Sequence, residues 1–356
     1  MLMTSKSPRT AAHAAIGAVL TVWLAVALLG TAIAGPLEDA VAAYDRADYA
    51  SARRLLRPLA DQGGAKAQFN LGQMYERGLG VSQNEGEAVN WYRKAADQGF
   101  ADAQLSLGVM YYAGRGVMLG YPDCATAAKW FRRAADQGVA GAQYNLGVLY
   151  RKGCGVPRND AEGLQWYRRA ADQGFAEAQF RLGFLYDEGA GVPQDYAEAT
   201  KWYRKAADQG IVDAQFNLGR VYDRGLGVPQ DNAEAVKWYR KAADQGNAHA
   251  ANNLGTMYSD GQGVAQDEVE AAKWYRKAAD QGDPLGQCNL AYQYAEGRGV
   301  QQDYVQAHKW LSLAASRLPP SEKRSSTIYD RDLIAAKMTS QQIADARKLV
   351  EEWKSK

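Results

Sequence analysis

Few side chains of this sequence have the spacing that catalysis or metal binding needs. The three cysteines stand far apart and lack the CxxC or Cys/His spacing of a zinc site: Cys124, Cys154 and Cys288. Beyond the first 34 residues, the only histidines are His249 and His308, and each is solitary in the sequence. No His-activated nucleophile is therefore evident, and we predict that both are surface residues. The sequence therefore predicts no catalytic residue, no metal site and no cofactor.

Glycine-rich GxGV segments recur along the chain and could in principle cradle a phosphate. No strand pattern precedes them, however, and neither a third glycine at dinucleotide spacing nor a Gly-Lys-Ser/Thr element follows. Carboxylates are numerous, but they map to helix caps and exposed helix faces. The sequence therefore identifies no two carboxylates that face each other as an acid/base pair. We interpret the GxGV segments as turns and the carboxylates as structural.

One period runs through most of the chain and must position every one of these residues. Asp-Gln-Gly triplets recur with spacings of 36, 39, 36, 36, 36 and 36 residues, ending at Gly63, Gly99, Gly138, Gly174, Gly210, Gly246 and Gly282. Between two triplets, as in residues 175–210, two stretches of helical period flank a GxGV segment. The period predicts seven tandem helix-turn-helix repeats.

Each repeat has an apolar stripe on both of its helices. Leu182 and Leu185 belong to the stripe of the first helix. Gly183 lies beside them, and glycine has a poor helix propensity. We therefore predict that the two helices approach closely at Gly183 and that their packing offsets this cost. We predict that Trp202 and its equivalents are the main core residues of the second helices. Asp195 with Glu198 predicts a capping box, and the triplet glycine predicts the end of the second helix.

Stacking is the only way in which repeats of this size can bury their stripes. The fold class predicted is therefore all-α, an α-α superhelix (solenoid) of tandem helix-turn-helix repeats whose first helices line a concave groove. We predict an N-terminal capping hairpin in residues 37–63 and C-terminal capping helices in residues 319–356. In the latter, Thr339 and Gln342 should cap a final helix that lies back on the last repeat.

The motif A-x-A-Q-x-x-L-G-x-x-Y-x-x-G-x-G-V, with its Trp-Tyr and Ala-Ala-x-x-Gly continuation, resembles the Sel-one-like repeat family. The resemblance covers residues 64–318 as seven units: 64–99, 100–138, 139–174, 175–210, 211–246, 247–282 and 283–318. It implies a tetratricopeptide-like solenoid with a scaffold or adaptor role, in bacteria often in the periplasm. It also implies weak β-lactam chemistry in some members, but S-x-x-K, S-D-N and K-T-G are all absent from this sequence.

The groove is where a partner should bind, and its candidate residues lie one or two positions before the Leu-Gly pair of each repeat. They combine large apolar side chains with amides: Phe69, Asn70, Tyr144, Asn145, Phe180, Arg181, Phe216, Asn217 and Asn253. Aromatics could supply apolar area and asparagines could bond a peptide backbone. Two alternatives stay open, namely that the aromatics belong to the core and that the asparagines bond between repeats.

The first 34 residues have the organisation of a secretory signal. A basic start with Lys6 and Arg9 precedes an apolar core, and Ala34 ends a small-x-small cleavage site. The alternative is an inner-membrane anchor formed by residues 14–34. Outside the leader, basic and acidic residues number 40 each, because Lys6 and Arg9 account for two of the 42 basic residues, which argues against nucleic-acid binding.

An oxidising compartment would allow two of the cysteines to pair. Cys124 follows a three-residue loop expansion, and Cys154 lies in the corresponding loop of the next repeat, so a disulfide between them is predicted and Cys288 is left over. The expansion places Met118, Leu119 and Tyr121 in a polar loop, either as a binding tip or as plain loop variation.

These observations predict a periplasmic or secreted scaffold or adaptor of the bacterial cell envelope that binds a protein or peptide in its groove. Contact with a membrane is expected only through the leader. One alternative is a periplasmic regulator that restrains a sensor kinase or a polysaccharide system. The other is a weak β-lactam-binding or wall-acting enzyme.

Overall fold

The protein is an all-helical repeat solenoid in its computed structural model, which describes residues 35–117 and 120–354. Eighteen α-helices and no strand lie in these residues, so the predicted all-α solenoid with helical caps at both ends is confirmed. The predicted signal sequence, with Met118 and Leu119 of the expanded loop, lies outside the described residues. Two compact units divide the chain, unit 1 up to Ala178 and unit 2 from Gln179.

Unit 1 begins with a helical hairpin and continues with repeats of a first and a second helix. Its helices are α1 (Pro36–Asp45), α2 (Tyr49–Asp61), α3 (Ala65–Arg77), α4 (Glu85–Asp97), α5 (Ala101–Ala113), α6 (Cys124–Asp136), α7 (Ala140–Lys152) and α8 (Asp160–Asp172). Asp48 caps α2 by accepting a hydrogen bond from the Ser51 N–H at 3.1 Å. The first helices are α3, α5 and α7, and the hairpin packs on α3 through Leu56 and Leu71.

Unit 2 continues the same alternation and ends in two additional helices. The boundary between the units falls within α9 (Ala176–Glu188), and the helices that follow are α10 (Tyr196–Asp208), α11 (Val212–Arg224), α12 (Asn232–Asp244), α13 (Ala248–Asp260), α14 (Glu268–Asp280), α15 (Pro284–Glu296), α16 (Tyr304–Arg317), α17 (Glu322–Ala335) and α18 (Ser340–Lys354). The first helices here are α9, α11, α13 and α15.

In six of the seven repeats, a glycine of the first helix makes room for an aromatic ring of the second helix. A Cβ atom at Gly183 would lie 2.6 Å from the Tyr203 ring, closer than two carbon atoms can approach. The last repeat instead has Ala291 and Leu311, both fully buried in one cluster. The same approach to a ring recurs at Gly72, Gly108, Gly147, Gly219 and Gly255. The predicted close approach of the two helices is confirmed.

The tryptophans of the second helices are core residues, as predicted, with Trp130 the partly buried exception. Cations cover their outer faces. Trp238 lies between Lys241 of its own helix, 4.0 Å from the ring centroid, and Arg204 of the preceding second helix, 5.1 Å from it. Cation–π contacts of this kind explain why Trp-Tyr-Arg-Lys recurs as a block.

Helix ends follow the sequence prediction in part. The triplet glycine Gly210 has φ of +88°, as a C-terminal cap requires. Asp195 caps α10 by accepting from the Glu198 N–H at 2.9 Å. The reciprocal half of the predicted capping box is wrong, because the Asp195 N–H donates to the Tyr186 carbonyl and Glu198 instead accepts from the Trp202 indole at 2.9 Å.

Glutamines join consecutive helices inside the stack. The buried Gln215 donates a hydrogen bond to the Ala207 carbonyl at 3.2 Å. This bond satisfies a carbonyl group at the C-terminal end of the preceding second helix, which has no partner within that helix. Gln245, from the Asp-Gln-Gly triplet that ends the same repeat, donates to the Gln215 side chain at 2.7 Å. These bonds account for the recurrence of both glutamines, which the sequence pattern alone did not explain.

The C-terminal cap closes unit 2 with a helix laid back on the last repeat, as predicted. Thr339 and Gln342 form both bonds of a capping box, at 2.8 and 3.2 Å. Trp353 of α18 meets Trp310 of α16 edge to face, with ring centroids 6.4 Å apart, and Arg317 lies 4.3 Å from the Trp353 ring. The terminal apolar surface of the last repeat is thus covered.

Candidate binding surface

The candidate surface is the first-helix face, which we define in each unit as the exposed side of its first helices, opposite the second helices. In unit 1, Phe69 is half-buried against the rings of Tyr92 and Phe100, at centroid distances of 5.7 and 5.2 Å. Asn70 beside it is half-buried. Tyr144 and Asn145 are only 2% and 0% exposed, so neither can contact a partner, and the core alternative holds for Tyr144.

In unit 2 both predicted aromatics are partly accessible, as Phe69 is in unit 1. Phe180 and Phe216 are half-buried, each beside the ring of a buried tyrosine, Tyr203 and Tyr239, at about 6 Å between centroids. Arg181 extends over the Phe180 ring, with its guanidinium carbon 5.8 Å from the centroid. This part of α9 and α11 therefore combines aromatic surface with a cation.

The asparagines differ in the bonds that they make within the protein. Asn289 donates to the buried Asn252 at 2.8 Å, which is a bond between repeats. Asn252 in turn donates to Asn253 at 3.4 Å. Asn217 is half-buried and makes no such bond among the described residues, so its amide stays available to a partner.

A residue that sequence reasoning missed lies four positions after Phe180. Phe184 is 38% exposed, whereas its equivalents Val109 and Val148 in unit 1 are 8% and 5% exposed. The same position changes chemical type from repeat to repeat: Gln73, Val109, Val148, Phe184, Arg220, Thr256 and Tyr292. This variation within a strict repeat was the signal that could have identified it.

Buried tyrosines of the second helices bond to acidic residues of the first helices. Tyr203 donates to Asp187 at 2.9 Å, and Arg220 of the next first helix forms an ion pair with the same carboxylate. Burial, followed by the nearby Asp187 charge, raises the pKa of the Tyr203 hydroxyl well above its usual value. The phenol therefore stays protonated and acts as a fixed donor, which is a structural role.

A disulfide joins two repeats of unit 1. Cys124 begins α6 and Cys154 lies in the loop after α7, 30 residues later, with their Cα atoms 5.4 Å apart. Cys288 is the one free cysteine of the described residues and is buried. Tyr121 of the expanded loop is 75% exposed.

The described residues offer no arrangement for metal binding. No group of three or more His, Cys, Asp or Glu side chains there could hold an ion. His249 is exposed and contacts Asp283, whereas His308 is only 7% exposed, so its prediction as a surface residue was wrong. In residues 35–117 and 120–354, none of the helices has the length and hydropathy to cross a bilayer.

Known proteins share this repeat. The Sel1 repeat model matches seven consecutive segments: 65–100, 101–139, 140–175, 176–211, 212–247, 248–283 and 284–317. The crystal structure of c5321, a protective antigen present in uropathogenic Escherichia coli strains and displaying an SLR fold, is 37% identical, with a TM-score of 0.80 over 90% of this chain and 68% of that one.

A Sel1 repeat protein from Oxalobacter formigenes is 36% identical, with a TM-score of 0.60, and the similarity covers 68% of this chain and 96% of that one. Comparison with curated proteins returns no match. Because the matched segments span most of the sequence and repeat the structural units helix by helix, the chain belongs to the Sel1 repeat family.

Proposed function

We propose that this protein is an exported scaffold of the bacterial envelope that binds a protein partner on its first-helix face. Sel1 repeat solenoids typically mediate protein–protein interaction, and members of the family are generally non-enzymatic. The disulfide between Cys124 and Cys154 supports export, because such bonds persist in oxidising compartments.

The observation that carries the proposal is the exposure of Phe184 beside Arg181. An aromatic ring that is 38% exposed on an otherwise well-packed first helix is a candidate anchor for a partner. Arg181, one turn earlier, has no carboxylate partner among the described residues. Aromatic residues and arginines are over-represented among the side chains that dominate binding energy at interfaces.

Site-specific photo-cross-linking in the native host tests this proposal. A benzophenone side chain would replace Phe184, and in a matched variant it would replace Lys201 on α10, whose side chain is 70% exposed. We expect one discrete adduct from position 184 and none from position 201, identified by mass spectrometry. Equal adducts from both positions, or none from position 184, would contradict the proposal.

The regulator hypothesis uses the same surface and differs only in the partner. A sensor kinase or a component of a polysaccharide system in the adduct from position 184 would select it. A soluble envelope protein in the adduct would select the free scaffold.

A further inference from the structure

A cavity of about 200 Å³ opens on the first-helix face of unit 1, between α3 and α5. Its lining includes Glu76, Arg77, Tyr92, Leu105, Val109 and Arg115. Pockets for drug-sized ligands typically enclose about 300–1,000 Å³. This smaller volume with an apolar wall and a polar rim suits one side chain of a bound protein.

The reason for the cavity is a substitution within the repeat. Counting by repeat length, Val109 and Glu76 of unit 1 correspond to Arg220 and Asp187 of unit 2. In unit 2 the Arg220 side chain crosses this space to form an ion pair with Asp187. Val109 is too short to do so, which leaves the equivalent space open.

The acid at the end of this cavity has its partners already. Glu76 accepts from the Tyr92 hydroxyl at 2.6 Å and from Arg115 Nη1 at 3.2 Å. Arg115 is anchored on its other side by Glu85, through Nε at 2.7 Å. The carboxylate is therefore satisfied from within the protein and does not call for a cation from outside.

Two guanidinium groups, those of Arg77 and Arg115, also line the cavity. Arg115 has five N–H groups, and its bonds to Glu76 and Glu85 use two of them. Arg77, exposed at the rim, has no carboxylate partner among the described residues. Two guanidinium groups beside apolar surface match a carboxylate carried on methylene groups.

We propose that this cavity binds an acidic side chain, Asp or Glu, of the protein partner. The carboxylate bonds Arg77 and Arg115, and the methylene groups of the ligand pack on Leu105 and Val109. This inference rests on the proposed function, because it assumes a protein partner on the first-helix face and specifies the chemistry by which one point of that face selects it.

Selection from a phage-displayed library of random linear peptides on the immobilised full-length protein tests the inference. Three variants give the comparison. Val109→Arg fills the cavity as Arg220 fills its equivalent, Arg77→Glu reverses an exposed rim charge, and Lys66→Glu makes the same charge change elsewhere on α3. Thermal melting followed by circular dichroism establishes that each variant is folded.

We expect the wild-type protein and Lys66→Glu to enrich peptides that carry Asp or Glu at one fixed position. Val109→Arg and Arg77→Glu should weaken the binding of those peptides about tenfold or more, as loss of a charged contact does. Because Arg77 is exposed, its variant stays informative even where Val109→Arg fails to fold.

Absence of an acidic preference, its survival in Arg77→Glu or in folded Val109→Arg, or enrichment of basic peptides would overturn the inference. None of these outcomes affects the adduct expected from position 184. Conversely, loss of that adduct contradicts the proposed function while the peptide selection still reports on the cavity. The two failures are therefore distinguishable.

Discussion

At the residue scale, the contact between Gly183 and Tyr203 inverts a general rule of helix propensity. Replacing an interior helical glycine by alanine normally stabilises a helix by up to about 1 kcal/mol. Here the added Cβ would lie 2.6 Å from the Tyr203 ring, which is itself fully buried and has no room to move. We expect Gly183→Ala to lower the free energy of unfolding by about 1–3 kcal/mol, as overpacking does, measured by urea denaturation.

The last repeat supplies the control for this prediction, because it has Leu311 at the position of the tyrosine and Ala291 at the position of the glycine, both buried in one cluster. In the double variant Gly183→Ala/Tyr203→Leu, the two losses should be less than additive by about 1 kcal/mol or more. Strict additivity would mean that the glycine is required for some other reason than the ring.

Residue exposure was the part of the site that the sequence could not supply. Tyr144 and Phe184 both lie on the side of a first helix that carries the predicted groove residues, yet one is buried and the other is 38% exposed. The repeat period identifies that side of the helix. The exposure of each residue on it, however, depends on the sizes of the neighbouring side chains that cover it. The same limit explains why Asn145 was predicted at the surface and lies in the interior.

At the element scale, a spacing of 30 residues joins the loop after a first helix to the start of the preceding second helix in three places. The pair is a disulfide for Cys154 and Cys124, and an ion pair for Arg115 with Glu85 and for Arg298 with Glu268. The repeat register made the cysteine pair predictable, since both positions recur in every unit. The equivalent ion pairs were not predicted, because the repeat pattern of the sequence does not show which charged side chains come into contact.

Oxidation of this pair should stabilise unit 1. Closing a loop of 30 residues restricts the unfolded chain and contributes about 3–4 kcal/mol in the chain-entropy model. We expect the protein purified from the envelope to have a mass about 2 Da below the reduced form, with the two cysteine-containing peptides linked. Reduction should lower its melting temperature.

Cys124→Ser should reproduce the effect of reduction and make the melting temperature insensitive to reductant. Cys288→Ser should leave that sensitivity intact, since its thiol is buried and forms no disulfide, and burial raises its pKa. A native protein with two alkylatable thiols at Cys124 and Cys154 would contradict the assignment and remove the support that it gives to export.

At the scale of the whole molecule, the 36-residue period was enough to predict the fold, because helices in a solenoid pack mainly on their neighbours in sequence. The Asp-Gln-Gly triplets locate the ends of the second helices, and the Leu-Gly pairs locate the first helices. Partner selection is different in kind. It depends on the few positions where repeats differ, such as Val109 and Arg220, whose consequences appear only when the side chains are placed.

Local packing also determines how the molecule should respond to losing its C-terminal cap. Ending the chain at Leu318 would expose Trp310, which meets Trp353 of α18 and lies in one buried cluster with Ile334 of α17 and Val350 of α18. Stability in a stack is approximately a sum of repeat and neighbour contributions, so the loss should be greatest at the exposed end. We expect amide hydrogen exchange to accelerate strongly in α15 and α16 and little in α11 and α12. Trp353→Ala should give a smaller change at the same place, and equal acceleration throughout unit 2 would show instead that the unit unfolds as one cooperative block.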